Sequence, residues 1–250
     1  MPPSSTVPPG ITAACRRTLP LLFVSTPVNA LVEGIYEENV SLAEVLTHGD
    51  FGIGTFNDLD GEMVIVDGIA YQMGADGTVR QAGRDVLTPY ACVTFFRPLI
   101  YDDIDAPLSP PEFDSFLESL IPSPNVVYAV RVEGEFHHIR VRSVPKQENY
   151  RPLVEVAREQ PEFMHHSVRG TLAGFFTPQF LASVTVPGFH LHFIRDDRQA
   201  GGHLLECSIQ TARVFVQNLG GMELRLPYTL DYVTADLSRD SSDDLDEIEH

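Results

Sequence analysis

Apolar positions along the chain fall mostly into short runs and period-two alternations, which is the pattern of sheet. Met63-Val-Ile-Val66 and Ile69-Ala-Tyr71 flank Asp67-Gly68, a residue pair suited to the positive φ angles of a tight hairpin turn. Asp76-Gly77 marks a second turn of that kind. Ala91–Phe96 and Asn125–Val132 read as buried strands, and Glu133-Gly134 predicts a turn into a further strand over Phe136–Val141. Helical signals are few. Ser41-Leu-Ala-Glu44 is a capping box that predicts a short helix over Leu42–His48, stopped at Gly49. Ser109-Pro-Pro-Glu112 places Ser at the N-cap, Pro at the first helical position and Glu three residues on. Phe113, Phe116, Leu117 and Leu120 follow at helical spacing, and Pro122 closes that helix. Arg151–Arg158 predicts another before Pro161, and from Gly170 onward the pattern returns to strand.

The fold class expected is therefore sheet-dominated α/β, with two β-sheet subdomains and a few short helices. Residues 21–145 form an N-terminal mixed-sheet domain, and residues 146–250 a C-terminal β-rich domain that ends in an acidic tail. The seam lies near residues 145–168. Residues 1–12 are rich in Pro, Ser and Thr, and residues 1–20 are read as a disordered segment.

Composition narrows the function classes. The 250 residues are 43% apolar and 21% charged, an ordinary globular mixture. No apolar run approaches the roughly 20 residues that span a bilayer. Arg16 and Arg17 precede the short run Leu19–Val24, but no small-residue cleavage site follows, so the cytoplasm is the expected address. Net charge is −18, from 17 basic and 35 acidic residues. Such a surface repels phosphate backbones and anionic lipid, which argues against nucleic acid and membrane as partners. Asp231 to His250 holds eight acids against Arg239, and composition alone reads that run as a solvated tail. Cys15, Cys92 and Cys207 are far apart, which argues against a disulfide framework or a cysteine zinc site. Lys146 is the single lysine, so a Schiff-base mechanism would have to use it.

The densest chemistry lies in Gly188–Glu206. Period two puts His190, His192 and Ile194 on one strand face and Phe189, Leu191 and Phe193 on the other. The polar run Arg195–Gln199 and Gly201-Gly202 make a turn, after which His203 can return beside His190 and His192. Three imidazoles on one side of a β-hairpin, with open coordination positions, make a catalytic metal site, and zinc or a similar divalent ion suits such ligands. His137-His138 and His165-His166 are adjacent pairs whose side chains point apart in a strand. Gly52–Glu62 lacks the third glycine of a dinucleotide fingerprint. It is either a glycine-rich connection or a loop that delivers Thr55 and Glu62 to a pocket. Arg140 and Arg142 share one strand face, either as surface charges or as a clamp for a carboxylate.

Four blocks together resemble the alpha-acetolactate decarboxylase family. They are HGDFGIGTFNDLDGEMVIVDG (residues 48–68), RSVPKQ (142–147), GTLAGFFTPQF (170–180) and GFHLHFIRDDRQAGGHLLE (188–206). The resemblance runs from about Val24 to the C-terminus. It implies zinc-dependent decarboxylation of 2-acetolactate to acetoin and carbon dioxide through a metal-stabilised enediolate, in a homodimer. It also implies His190, His192 and His203 as zinc ligands, Arg142 on the substrate carboxylate, Glu62 as acid/base and Thr55 as an orienting hydrogen-bond partner. The family returns a tail glutamate to its metal; here Glu249 fits that position best, with Glu247 as the second choice. The chemistry is coherent. Losing carbon dioxide leaves an electron pair that the neighbouring ketone can accept when a Lewis acid holds its oxygen. Two rival readings are a cupin-like metal oxygenase and a non-enzymatic protein in which the metal only staples the hairpin. Against the first, His203 follows too soon and the usual Glu is missing.

Overall fold

Alternating strands at the chain's two ends meet in one sheet, as a computed structural model shows for residues 19–148, 150–239, 244, 245 and 248. The expected disordered segment falls almost wholly outside the described residues. The elements are β1 (Leu21–Val24), α1 (Val28–Val32), β2 (Val40–Ser41), α2 (Leu42–Val45), β3 (Phe51–Thr55), β4 (Glu62–Val66), β5 (Ile69–Met73), β6 (Val79–Gln81), β7 (Leu87–Thr88) and β8 (Ala91–Thr94). They continue with β9 (Ile100–Ile104), α3 (Pro110–Ser119), β10 (Val127–Arg142), α4 (Leu153–Ala157), β11 (Glu162–Thr177), β12 (Gly188–Arg195), β13 (Gly201–Leu219), β14 (Gly221–Leu224) and α5 (Leu230–Thr234). The fold is sheet-dominated α/β with short helices, as the pattern predicts. None of the described helices is long and apolar enough to cross a membrane.

A seven-stranded sheet runs β14-β1-β8-β3-β4-β5-β6, and a five-stranded sheet runs β10-β11-β12-β13-β9 with β10 also paired to β13. Sheet membership does not change at residue 145, because β9 and β10 lie in the five-stranded sheet and β14 returns to the seven-stranded one.

Local chemistry accounts for the turns. Asp67 and Gly68 have φ of 53° and 76°, the conformation a two-residue hairpin between β4 and β5 requires. In α3 the Ser109 amide donates to Glu112 Oε2 at 2.8 Å, completing the capping box, and Phe113 and Leu117 are buried. In α2 the Ser41 hydroxyl accepts from the Glu44 amide at 3.3 Å. That helix ends at Val45, three residues short of the expected end.

The turn expected at Glu133-Gly134 is absent. β10 runs straight through it, with Gly134 opposite Gly170 on one side and Ala212 on the other. Gly134 serves close approach: a Cβ there would lie 2.3 Å from the Thr211 carbonyl oxygen. Glu162–Val168, expected within the seam, opens β11 and pairs with β10.

Three apolar layers hold the sheets. Phe51, Ile53 and Val64 of the first sheet pack with Ala173, Phe175 and Ile194 of the second. Beyond the second sheet, Leu191, Phe193 and Leu172 pack with Phe113 and Leu117 of α3. Outside the first, Met63 and Ile65 pack with Leu42 and Val45. Each fully buried side chain of this size contributes roughly 1.5–3 kcal/mol. Residues at alternate positions of β12 therefore enter different layers, and this alternation aims its histidines between the two sheets.

Candidate metal centre and active site

His192 and His203 are direct partners across the β12–β13 hairpin, and His203 is opposite Arg142 on β10. Arg142, His203 and His192 thus form a row across three strands, with His190 two residues along on the face of His192. One ligand nitrogen from each histidine lies within 4.8 Å of the other two. The Nε2 atoms of His190 and His192 are 3.2 Å apart. No other such group of three or more ligand-type residues occurs among the described residues.

The opposing sheet fixes this cluster. Nδ1 of His192 is 2.7 Å from the Met63 carbonyl oxygen, so its N–H donates there and Nε2 keeps its lone pair for the centre. His192 is 1% exposed. Burial pushes its pKa well below the ordinary histidine value; His190 and Arg142 push the same way, and the Met63 hydrogen bond opposes them. Oε2 of the buried Glu62 lies 3.6 Å from Nε2 of His192.

Thr55 and Glu62 are opposite each other on the β3–β4 hairpin. The Thr55 hydroxyl donates to the Gly61 carbonyl at 2.7 Å, which ties down the loop before Glu62. Gly61 has φ of 87°, and a Cβ there would meet the Met73 carbonyl oxygen at 2.3 Å. Arg142 Nη2 donates to the Ile248 carbonyl, so the described part of the tail reaches the site. Thr55, Glu62, Arg142 and the three histidines line one cavity. Its remaining wall is largely apolar, with Val28 and Leu31 of α1, Leu59, Val144, Leu153, Val186 and Ile248. Glu249 and Glu247 lie outside the described residues.

The donor set fits a divalent ion. It offers three imidazole nitrogens and a carboxylate oxygen nearby, with His192, His203 and Glu62 buried. The free cysteines Cys92 and Cys207 are buried away from this cavity, and burial raises both thiol pKa values, that of Cys92 to about 12.

The family model for alpha-acetolactate decarboxylase matches residues 22–239. The chain belongs to the alpha-acetolactate decarboxylase family. It is thereby an enzyme of the carboxy-lyase class. It is 39% identical to the alpha-acetolactate decarboxylase of Raoultella terrigena over 224 residues, which covers 89% of this chain and 86% of that protein. It is 39% identical over 230 residues to the enzyme of the same name from Methylococcus capsulatus, covering 92% and 88%. The crystal structure of alpha-acetolactate decarboxylase from Bacillus subtilis strain 168 superposes with a TM-score of 0.89 at 36% identity, over 92% of this chain and 99% of that one.

Sequence reasoning missed several lining residues of this alpha-acetolactate decarboxylase family member. Tyr90 and Gln160 also line the cavity. Neither belongs to a local pattern; each arrives through tertiary packing. Leu245 and Ile248 are buried in the layer between the sheets. Their spacing of three within the acidic run was the available signal that the tail has an apolar face.

Proposed function

We propose that this chain converts 2-acetolactate to acetoin and carbon dioxide with a zinc ion held by His190, His192 and His203. The observation that carries the reading is the convergence of three histidine nitrogens, a buried glutamate and an arginine on one cavity. When bound, a divalent ion there supplies Lewis acidity to the substrate oxygens. Arg142 receives the substrate carboxylate through paired hydrogen bonds and holds the bond to be broken in a fixed orientation. Carbon dioxide departs without the bonding electron pair, which the adjacent ketone delocalises. Glu62 delivers the proton that this carbon then needs, from one side only, and so sets the configuration of the product. The apolar wall keeps bulk water from competing for that protonation.

Thr55 gives its own proton to Gly61, so its hydroxyl meets the substrate as an acceptor. Glu249, through the family resemblance, is assigned as a tail ligand or second proton carrier. The active form is inferred to be a cytoplasmic homodimer, which sedimentation tests. The enzyme assay combines metal analysis of the purified protein with acetoin formation from racemic 2-acetolactate. Metal near one ion per chain with acetoin production supports the reading, and metal-loaded protein that makes no acetoin refutes it.

A further inference from the structure

We propose that Gln160 is a binding residue that accepts a hydrogen bond from the substrate's hydroxyl group; this rests on the function proposed above. Gln160 lies between α4 and β11 and lines the same cavity as Arg142 and the histidines. Its backbone is tied at two points. Its amide donates to the Ala157 carbonyl at 3.4 Å, and the next residue, Pro161, accepts from the Ser143 amide at 3.3 Å. Ser143 directly follows Arg142, so the segment carrying Gln160 is fastened beside the arginine.

The side-chain oxygen of Gln160 is buried and has no hydrogen-bond partner among the described residues. Such an unmade bond is costly, and a native fold normally satisfies it. Among the described residues, the other buried side-chain oxygens left without a partner belong to Thr26, Asn29 and Glu38, and none of these lines the cavity. The terminal torsion of glutamine is soft, so a small rotation turns the oxygen toward an arriving donor.

The chemistry of the substrate selects which group that is. An amide oxygen only accepts. In 2-acetolactate the ionised carboxylate and the ketone also only accept, and the tertiary hydroxyl is the one donor. A hydroxyl held by Gln160 and a carboxylate held by Arg142 fix two of the substituents on the reacting carbon. Together they orient the bond that breaks.

The test uses two inert acids that differ only in replacing hydroxyl by methyl, 2-hydroxy-2-methylpropanoate and 2,2-dimethylpropanoate. Their binding to the metal-loaded protein is measured by calorimetry, alongside metal content and steady-state kinetics. The wild type should prefer the hydroxy acid. Gln160→Leu should lower that preference about tenfold and raise KM for 2-acetolactate, with metal content and affinity for the dimethyl acid unchanged. Gln160→Glu retains an acceptor and should keep the preference ratio, even if its charge weakens both acids alike. That variant decides the matter should Gln160→Leu fail to fold. Absence of a hydroxyl preference in the wild type overturns the proposal. So does an unchanged preference in Gln160→Leu, or its loss in Gln160→Glu. These binding ratios do not depend on turnover, so a wild type that makes no acetoin would sink the proposed function and leave Gln160 separately decided.

Discussion

Two groups of histidines sit on the same five-stranded sheet, and only one of them gathers. His190, His192 and His203 lie where β12 and β13 face the other sheet, with Met63 above them and Ile248 at the cavity wall. His137, His138, His165 and His166 are carried by β10 and β11, where His138 is opposite His166 and Ile139 opposite His165. His138 binds the Ser208 hydroxyl at 2.8 Å and sits 3.5 Å from Glu206, while His137 and His166 are exposed. Residue type is the same in both groups. His-x-His puts two rings on one face, whereas His-His splits them between faces. Burial then strips water from His192, and the Met63 carbonyl fixes which of its nitrogens carries the proton.

The comparison breaks if the two groups behave alike on mutation. His192→Ala should abolish metal retention and lower turnover by more than roughly a thousandfold, over about 4 kcal/mol in transition-state terms. His138→Ala should leave metal content and turnover within about twofold of wild type, since its contact with Glu206 is partly exposed. Metal analysis of both purified variants decides it, and full activity in His192→Ala would remove the basis for the site. Arg142→Ala separates binding of metal from chemistry. It should retain metal and lose roughly a hundredfold in kcat/KM, about 2.7 kcal/mol. A metal-free Arg142→Ala protein would mean that the arginine supports the histidines and not the substrate.

The gathered group was legible because its determinants are local. Period two in Phe189–Ile194 and the turn before His203 put three rings together without knowledge of any other strand. The Asp67-Gly68 hairpin and the Ser109 capping box were legible for the same reason. What could not be read depends on pairing between distant segments. The Met63 carbonyl that meets His192 comes from a residue 129 positions away. Gly134 looked like a turn because a glycine needed for close approach between strands carries no mark that separates it from one needed for positive φ. The acidic tail looked solvated because charge dominates its composition, although Leu245 and Ile248 enter the core.

Two glycines sharpen the contrast. A Cβ on Gly174 of β11 would lie 2.0 Å from the His190 carbonyl oxygen, and one on Gly134 would lie 2.3 Å from that of Thr211. Each Gly→Ala change should destabilise the fold by about 1–3 kcal/mol through overpacking. Only Gly174→Ala should also weaken metal affinity, because it displaces the strand that carries His190. Denaturant melts with and without metal measure both effects, and equal metal affinity in the two variants would contradict the link between strand position and ligand position.

Acid should act on the gathered group through His192. Its folded pKa is depressed by burial, so below pH about 6.5 the unfolded chain binds a proton that the folded chain does not. Metal-free protein therefore loses stability as pH falls below that value, by at most about 1.4 kcal/mol per pH unit for this one proton. His192→Gln should flatten the profile between pH 7 and 5.5. A slope equal to that of the metal-free wild type would show that His192 is already protonated in the fold.

The smallest effect concerns the cover over the gathered group. Arg239, the single base in the acid-rich run, has Nη2 2.6 Å from Glu33 and 2.7 Å from Asp244. It joins the end of α1 to the tail just before Leu245 and Ile248 enter the core. The arginine is half exposed, so solvent screens these pairs and they contribute little. Burial of Leu245 and Ile248 is the stronger hold on the tail. Arg239→Ala should accordingly raise KM by less than about fivefold, and half-molar salt should bring the wild type to the same value. A loss of a hundredfold or more in Arg239→Ala, with metal retained, would mean that the ionic clasp, and not apolar burial, keeps the tail against the site.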